Sequence, residues 1–245
     1  MNAAVIIQAR VSSTRLPSKA LLELCGKPMI FHVIESAKAI KDIERVILAT
    51  GNGEENRPLL EIAGECGIES FAGPEDDVLE RYYMAASEID CDYVIRITGD
   101  NPLTDHESAS AALVFAAENN ADHCTVSGIP VGTGVEIIKK SALGKALVEG
   151  KEPHHREHVT PYIKEHPEIF KSVRYISPLD NPFPGLRLTV DEAEDFELIK
   201  IIYDNLYNGM PIRLQEVISF IMQNPELRFI NSSIEQRSMT HHSNG

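Results

Sequence analysis

The chain is short of positive charge. Its 245 residues include 23 lysines and arginines against 37 aspartates and glutamates, which gives a net charge of −14 at pH 7. A broad nucleic-acid surface or a patch for an anionic membrane needs a positive field, so neither class of partner is expected. A chain with this negative net charge can bind an acidic small-molecule substrate only where cationic side chains are clustered.

Cysteine is also scarce, with four residues in the chain. No two of them have C-x-x-C spacing, and each has apolar neighbours, which favours buried thiols in a reducing compartment over a zinc site. The N-terminus lacks the charged region and the long apolar run of a signal peptide. No apolar stretch approaches the roughly 18 residues of a membrane span, so we expect a cytoplasmic protein.

Several catalytic motifs are absent from the sequence. It contains no G-x-x-x-x-G-K-[ST] phosphate loop, no G-x-S-x-G nucleophile elbow and no H-E-x-x-H metal motif. Gly132–Glu136 is rich in glycine, but it precedes a predicted strand rather than a helix, so it does not support a dinucleotide site. Any nucleotide chemistry must therefore depend on other residues.

The first half of the chain does show a regular alternation of strand and helix patterns. Predicted strands are Ala3–Ile7, Arg45–Thr50, Glu69–Ala72, Asp92–Thr98 and Asp122–Val126, and predicted helices are Pro28–Ile40, Glu54–Cys66, Asp76–Ile89 and Asp105–Asn119. Alternation with short connections predicts a mostly parallel sheet that is covered by helices on both faces.

The second half is less regular, and no linker separates it from the first. Strands are predicted at Gly134–Ile138 and Leu186–Val190, and helices at Ser141–Glu149, Glu192–Tyr207, Arg213–Gln223 and, with an interruption at Pro161, Arg156–His166. We therefore expect one domain over residues 1–230, with halves 1–128 and 129–230. The polar residues 231–245 are predicted to form a flexible tail.

Charged residues follow three of the predicted strands. A basic loop with Arg10, Arg15 and Lys19 follows the first, Asp100 follows "DYVIRIT" and Asp191 follows "LRLTV". In open parallel sheets, ligands bind outside the carboxyl ends of the strands. We therefore expect these cations and carboxylates to line one edge of the sheet.

This combination of charges suits a nucleoside triphosphate. Cations bind phosphates and stabilise a leaving pyrophosphate, and two carboxylates can hold Mg²⁺. Each group also has a simpler interpretation: the basic loop as a solvated loop, Asp100 as the start of a turn, and Asp191 as a helix cap. Their shared position at strand ends favours the binding interpretation.

A histidine-rich segment, "HHREHVTPY", has three histidines within nine residues, His154–Tyr162. No partner carboxylate stands at an obvious metal-ligand spacing. A metal site, a polar helix facing a substrate and a plain surface helix all remain open interpretations.

Five segments resemble one enzyme family. Ile6–Ile34 resembles the N-terminal signature of sugar-acid cytidylyltransferases, with the pattern A-R-x-x-S-x-R-L-P-x-K followed by a G-K-P-[ML] turn. Further matches, in the expected order, are Glu75–Ala86, Asp92–Leu103, Arg156–Ile163 and Leu186–Ile199. Over residues 4–207 the chain is similar to the spore-coat-polysaccharide SpsF type of that superfamily.

The resemblance implies a three-layer α/β/α nucleotide-diphospho-sugar transferase fold, glycosyltransferase-A-like and Rossmann-related, with a mostly parallel sheet. It implies Mg²⁺-dependent transfer of CMP from CTP to an acidic sugar, with release of pyrophosphate, for a cell-surface polysaccharide such as that of the spore coat. Residues 1–128 would bind the nucleotide, and residues 129–230 would bind the acceptor and form a homodimer around Gly132–Pro161.

The resemblance also implies roles for individual residues. Arg10, Lys19, Asp100 and Asp191 would be the catalytic residues, with Arg10 and Lys19 on the triphosphate and Asp100 and Asp191 on Mg²⁺. Other residues would contact the substrates: Arg15 and Ser13 at the phosphates, Asp77 and Arg81 near the base or the reacting groups, Thr98 and Gly99 at the strand end, and Glu136, Arg156 and His158 around the acceptor.

Ser18 departs from the family pattern, in which glycine is common at this position. A backbone that requires positive φ accommodates serine poorly, so the sequence predicts some displacement of the phosphate loop.

Two rival functions are retained. A glycosyltransferase that uses a finished nucleotide sugar has less use for the dense cations, and a non-catalytic nucleotide-binding homologue does not need the four catalytic residues together. The acceptor is open among nonulosonic acids, octulosonic acids, other sugar acids and phosphate-bearing metabolites.

Overall fold

A seven-stranded sheet organises the chain, in a computed structural model that describes residues 1–183 and 185–234. The described strands are β1 Ala3–Gln8, β2 Glu23–Leu24, β3 Lys27–Pro28, β4 Arg45–Gly51, β5 Glu69–Gly73, β6 Tyr93–Thr98, β7 His123–Ser127, β8 Glu136–Lys139 and β9 Ser172–Ile176. β2 and β3 form a separate antiparallel pair outside this sheet.

The strand order of the main sheet is β5-β4-β1-β6-β8-β7-β9. β5, β4, β1 and β6 are parallel neighbours, β8 runs antiparallel to β6 and β7, and β9 is parallel to β7. The predicted mostly parallel sheet is therefore confirmed. Its four parallel strands bring their carboxyl ends, and the loops that follow them, to one edge.

The described helices are α1 Met29–Lys38, α2 Arg57–Glu65, α3 Val78–Ser87, α4 His106–Glu118, α5 Lys140–Glu149, α6 Pro153–His158, α7 Pro161–Glu165, α8 Ala193–Leu206 and α9 Leu214–Gln223. The predicted interruption near Pro161 is confirmed, because Pro161 begins α7 and the preceding Val159 has a φ of 72°. None of these described helices has the combination of length and apolar character that a membrane span requires.

The alternation of side chains along β1 covers both faces of the sheet. Val5 and Ile7 pack into a core with α1, α2 and α4, whereas Ala4 and Ile6 point into a second core with α3, α5 and α7. A third cluster joins α8 and α9 to Leu186–Val190. The predicted three-layer α/β/α architecture is confirmed.

The predicted strand at Leu186–Val190 is wrong. Its apolar residues alternate into the third core, but its backbone pairs with loops instead of a strand. Leu188 N donates to Val131 O at 2.7 Å, and Val190 N donates to Asp100 O at 2.9 Å. The segment is extended and ties Asp191 to the end of β6 without joining the sheet.

The structure also contains elements that the sequence patterns did not indicate. β9 is an edge strand in which Ser172, Arg174 and Ile176 are exposed, and its apolar side consists of Val173 and Tyr175 alone, which is too short an alternation to recognise. The pair of β2 and β3 is too short for any periodicity to show.

The predicted flexible tail begins too early. Asn231 is buried, and its amide donates to Arg187 O at 3.0 Å and to Asp195 Oδ1 at 2.9 Å. These two bonds hold the start of the segment against α8. The rest of the predicted tail, residues 235–245, lies outside the described residues.

A glycine at the end of β6 permits close contact between two strands. Gly99 N donates to Gln8 O at 2.7 Å, and a Cβ on Gly99 would lie 2.7 Å from the Ala9 Cβ. We expect Gly99→Ala to lower the free energy of unfolding by about 1–3 kcal/mol through overpacking, as measured by urea denaturation.

Gly64→Ala is the matched control. A Cβ at Gly64, in α2, meets nothing within 4 Å beyond the backbone of its own helix. The same added methyl group should therefore leave stability unchanged or raise it by up to about 1 kcal/mol. Equal effects of the two substitutions would contradict the packing described for Gly99.

Candidate active site

A cavity of about 740 Å³ opens at the carboxyl edge of the parallel strands. Its walls come from the loop after β1, the loop before α3, the end of β6, helix α6 and Asp191. Twelve of the residues predicted for the site line it: Arg10, Ser13, Arg15, Lys19, Asp77, Arg81, Thr98, Gly99, Asp100, Arg156, His158 and Asp191.

Lys19 joins the two carboxylates that were predicted to hold a metal. Its Nζ lies 2.9 Å from Asp100 Oδ2 and 2.8 Å from Asp191 Oδ1, and it also donates to Val190 O at 2.9 Å. Burial alone would lower the pKa of Lys19, but the two carboxylates outweigh it and raise that pKa. The ammonium is therefore charged at neutral pH.

Asp191 is surrounded by cations. Arg15 Nη2 lies 2.8 Å from Asp191 Oδ1, and the guanidinium of Arg187 pairs with Oδ2. Burial would raise the pKa of Asp191, but Lys19 and these two arginines outweigh it and lower the pKa. The carboxylate stays ionised and is held in one orientation.

The helix-cap interpretation of Asp191 is wrong. The N-cap residue of α8 is Glu192, and its partner in the capping box is Asp195. Asp195 Oδ2 accepts from the backbone N–H groups of Asp191 and Glu192 at 3.0 and 3.1 Å. The carboxylate of Asp191 is thereby left for the cavity.

Arg10 is the exposed cation of the basic loop. Over the described ranges of the chain, no hydrogen bond or ion pair engages its side chain. The adjacent backbone is fixed, because Val11 N donates to Oδ1 of the fully buried Asn56 at 2.9 Å. The loop therefore presents a cation from an anchored backbone.

Ser18 has φ 53° and ψ 31°, in the left-handed region. The positive φ that the family pattern suggests is thus present, at a cost of about 1–2 kcal/mol for a residue with a Cβ. In this conformation the Lys19 Nζ reaches both Asp100 and Asp191.

The donor set fits a magnesium ion. Asp100 and Asp191 converge on a single cation, the Lys19 ammonium, and both border the cavity. Mg²⁺ prefers one or two carboxylates and takes its other ligands from phosphate oxygens and water.

The predicted substrate residues on α3 also stabilise the fold. Asp77 is the N-cap of α3, where its Oδ1 accepts from Glu80 N at 2.9 Å, and its Oδ2 accepts from Arg156 Nε at 2.7 Å. Arg81 is 1% exposed and donates from Nη1 to Glu75 O at 3.0 Å. Together they hold α3 and α6 at the cavity wall.

Glu136, predicted around the acceptor, is not among the residues that line the cavity, and its carboxylate bonds to side chains behind the cavity wall. Glu136 Oε2 pairs with Arg96 Nη1 at 3.0 Å, and Glu136 Oε1 accepts from Thr160 Oγ1 at 3.1 Å. Arg96 itself lines the cavity and donates to Gln8 Oε1 at 3.2 Å. Arg96 could have been identified from the sequence, because it is the charged residue inside the strand "YVIRIT".

Glu136→Gln should test this buried network. Burial would raise the pKa of Glu136, but His123, Arg96 and Lys164 outweigh it and hold the pKa well below its usual range. At pH 7 we expect the substitution to lower the free energy of unfolding by about 2–4 kcal/mol, because it leaves Arg96 without a counter-charge.

The effect should depend on pH. A carboxylate whose folded pKa is depressed contributes stability above its unfolded pKa of about 4.3, and this contribution is lost as pH falls towards the folded pKa. The difference in the free energy of unfolding between wild type and Glu136→Gln, measured by urea titration, should therefore shrink from about pH 5 to about pH 3, where the unfolded carboxylate begins to take up its proton. Glu61→Gln, at an exposed pair with Arg57, should cost less than about 0.5 kcal/mol. An equal cost for both variants at pH 7 would contradict the network.

Helix α6 forms the far wall of the cavity, through Pro153 and Arg156–His158. Burial lowers the pKa of His158, so its imidazole is neutral at pH 7. Arg156 donates from Nη1 to Leu147 O at 2.8 Å, which fixes it beside Asp77. The histidine-rich segment thus supplies a polar helix that faces the cavity, one of the three interpretations left open above.

The ligand atoms of the neighbouring His154, His155 and Glu165 lie within 4.8 Å of one another, which is close enough to hold a metal ion together. His154 and His155 both lie 2.8 Å from Glu165, through Nε2 in each case. However, His155 Nδ1 accepts from Glu152 N at 3.2 Å, so its proton is on Nε2, the atom a metal would need. These hydrogen bonds connect α6 to α7.

Comparisons with known proteins agree with this geometry. The model of the family described as cytidylyltransferase matches residues 4–225. The chain is 30% identical to the spore coat polysaccharide biosynthesis protein SpsF of Bacillus subtilis, over 90% of this chain and 94% of that protein. It is also 30% identical to the 3-deoxy-manno-octulosonate cytidylyltransferase of Chloroherpeton thalassium, over 87% and 88% of the two chains.

The fold has a close counterpart among solved structures. A cytidylyltransferase from Leptospira borgpetersenii superposes with a TM-score of 0.86 and 28% identity, covering 96% of this chain and 99% of the other. The resemblance carried by the sequence motifs and the nucleotide-sugar transferase type of fold are therefore both confirmed.

Proposed function

We propose that this chain, which belongs to the cytidylyltransferase family, transfers CMP from CTP to a sugar acid of the nonulosonic or octulosonic type and releases pyrophosphate. The product would serve the synthesis of a cell-surface polysaccharide. One observation carries the proposal: Lys19 joins Asp100 and Asp191 at the edge of a large cavity that Arg10 and Arg15 also line. The names of the two relatives support the sugar acid and the polysaccharide.

The triphosphate would bind to Arg10, Arg15 and Lys19. Arg10 has its side chain in solvent, whereas Arg15 and Lys19 share their charge with Asp191 and Asp100. A triphosphate is a strong competitor for such cations, because charge-assisted hydrogen bonds to phosphate exceed neutral ones in strength. The same groups would then stabilise the negative charge that builds up on the departing pyrophosphate.

Asp100 and Asp191 would hold Mg²⁺, which when bound neutralises phosphate charge and polarises the phosphorus that is attacked. Thr98 Oγ1 donates to Asp100 Oδ1 at 2.5 Å, and Arg187 pairs with Asp191. These supporting bonds fix the carboxylates in place, whereas Lys19 would have to release them to the metal as it turns to the triphosphate.

The acceptor would enter between α3 and α6, where Arg156 and His158 line the cavity. Its hydroxyl oxygen would form the new bond to the α-phosphorus as the bond from that phosphorus to the oxygen bridging the α- and β-phosphates breaks. The electron pair of the broken bond would leave on pyrophosphate, and the hydroxyl proton would pass to solvent. Transfer of this kind depends on positioning and on neutralisation of charge more than on covalent catalysis. The fixed arginines around the cavity provide both.

Pyrophosphate release tests the proposal. The purified chain with Mg²⁺ is given CTP, UTP, GTP or ATP, each with a panel of sugar acids and phosphorylated metabolites. We expect release with CTP and one sugar acid. Consumption of a nucleotide sugar without pyrophosphate release would instead indicate a glycosyltransferase, and binding of CTP without turnover on any acceptor would indicate a non-catalytic homologue.

The proposal includes a cytoplasmic homodimer, formed around residues Gly132–Pro161. Light scattering coupled to gel filtration measures the mass directly. A mass near twice the 27.2 kDa of the chain is expected, and a monomeric mass at micromolar concentration would remove the dimer without affecting the proposed reaction.

A further inference from the structure

A fully buried carboxylate, that of Asp195, lies behind Asp191. Its Oδ2 accepts from the backbone N–H groups of Asp191 and Glu192, and its Oδ1 accepts from Arg187 Nε at 3.0 Å. The same arginine pairs through Nη2 with Asp191 Oδ2. Asp195 therefore holds both the backbone of Asp191 and the guanidinium that orients the Asp191 carboxylate.

Asn231 connects the two members of this buried pair. It is 3% exposed, and its Nδ2 donates to Asp195 Oδ1 at 2.9 Å and to the Arg187 carbonyl oxygen at 3.0 Å. A carbonyl and an ionised carboxylate only accept hydrogen bonds, so the NH₂ group of the amide must face them. The two bonds use both hydrogens of the amide and tie the Asp195 side chain to the Arg187 backbone.

The segment that carries Asn231 follows α9 and packs on the third cluster. Pro225–Phe229 forms a short 3₁₀ helix, in which Leu227 is buried in that cluster, and Ile230 packs against it. The family model matches residues 4–225 and so does not include Asn231. Asn231 does not line the cavity, so any effect that it has on the site must pass through Asp195 and Arg187.

We propose that Asn231 is a positioning residue for the metal site. By tying Asp195 to Arg187, it keeps the guanidinium on Asp191 Oδ2, which leaves Oδ1, the oxygen that Lys19 contacts, as the one available to Mg²⁺. This inference rests on the proposed function and deepens it. Loss of a group that holds a metal ligand in place typically costs about 10- to 100-fold in metal affinity or activity.

Asn231→Leu should weaken the metal site without removing any group that would contact a ligand. Leucine keeps the number of side-chain heavy atoms and the branch at Cγ, but it donates no hydrogen bond. Arg187 then loses the bond to its carbonyl, and Asp195 loses one of the donors on Oδ1, so the guanidinium is less firmly held on Asp191. Asn231→Ser is the milder variant, since its hydroxyl can still donate one bond.

The test is isothermal titration of the full-length chain with CTP, once with Mg²⁺ and once with EDTA, in the absence of an acceptor. We expect Mg²⁺ to tighten CTP binding to the wild type by at least about tenfold, because the metal links the triphosphate to the carboxylates. In Asn231→Leu this enhancement should fall by about tenfold. The affinity for CTP in EDTA should be unchanged, because Arg10, Arg15 and Lys19 are all present.

Asn224→Leu is the matched control. Asn224 lies in the same segment, and its Nδ2 donates at 2.9 Å to Phe220 O, a carbonyl of α9, instead of to the buried pair. This variant should keep the wild-type enhancement. A purely structural role of Asn231 would lower the melting temperature of Asn231→Leu, measured by circular dichroism, and leave the enhancement at the wild-type value.

The outcomes separate this inference from the function on which it rests. A folded Asn231→Leu or Asn231→Ser variant that keeps the wild-type enhancement would overturn positioning by Asn231 and leave nucleotidyl transfer intact. A wild type whose affinity for CTP does not respond to Mg²⁺ would overturn the metal site and this inference with it. A wild type that does not bind CTP would overturn the proposed function as well.

Discussion

Lys19→Met is expected to lower kcat/KM for CTP by about 10²- to 10³-fold. The substitution keeps an unbranched side chain of nearly the same length but removes the ammonium that donates to Asp100, Asp191 and Val190. It takes one cation from the triphosphate and leaves Asp100 without its cation partner, whereas Asp191 keeps Arg15 and Arg187. Steady-state pyrophosphate release at several CTP concentrations measures the loss.

Two companion variants make this result specific. Lys19→Arg should recover little activity, because a planar guanidinium cannot replace a compact ammonium between two carboxylates. Lys200→Met removes a lysine from an exposed pair with Asp204 on α8 and should change kcat/KM less than twofold. Wild-type activity in Lys19→Met would exclude Lys19 from the phosphate site.

Asp100→Asn is expected to reduce kcat by about 10³-fold or more, since loss of a carboxylate from a metal site forfeits several kcal/mol of transition-state stabilisation. The fold should survive, because the amide can keep its oxygen towards Lys19 Nζ and donate from its NH₂ group to Thr98 Oγ1. Pyrophosphate release at saturating CTP, repeated at increasing Mg²⁺ concentration, measures the change.

Asp180→Asn serves as the control for this substitution. Asp180 is exposed and does not line the cavity, so the same change there should leave kcat within about twofold of the wild type. If Asp100→Asn turned over at a near-normal rate, the assignment of Asp100 as a metal ligand would fail.

The first half of the fold could be predicted because its information is local. Buried strands such as β1 and β4 are short apolar runs, and the helices between them repeat apolar residues at helical spacing. Where these patterns alternate with short loops, the parallel sheet follows from general rules of connection. The predicted elements up to β7 accordingly have their counterparts in the structure.

The second half failed where a segment's partner is decided by tertiary structure. Leu186–Val190 has the pattern of a strand, but its backbone partners are Val131 and Asp100, far away in the chain. The error did not misplace Asp191, since the bond from Val190 to Asp100 brings this carboxylate to the same edge that a strand would have. The position was right, although the reason given for it was wrong.

The residues of the candidate site also divide into those that the sequence could identify and those that it could not. Charged residues directly after strands could be found from the sequence, and the structure gathers Arg10, Lys19, Asp100 and Asp191 around one cavity. Glu136 was assigned through the family resemblance, which carries over a position in the sequence but not the direction of a side chain, and it does not line the cavity.

The transfer of label from [α-³²P]CTP tests the central claim most directly. The wild-type chain is incubated with Mg²⁺, labelled CTP and a panel of octulosonic and nonulosonic acids, and the products are separated. The account predicts that label appears in a CMP–sugar acid conjugate, with one pyrophosphate released for each conjugate formed, and that Lys19→Met forms almost none. Label that stays in CTP with every acceptor, or a conjugate formed without pyrophosphate, would contradict it.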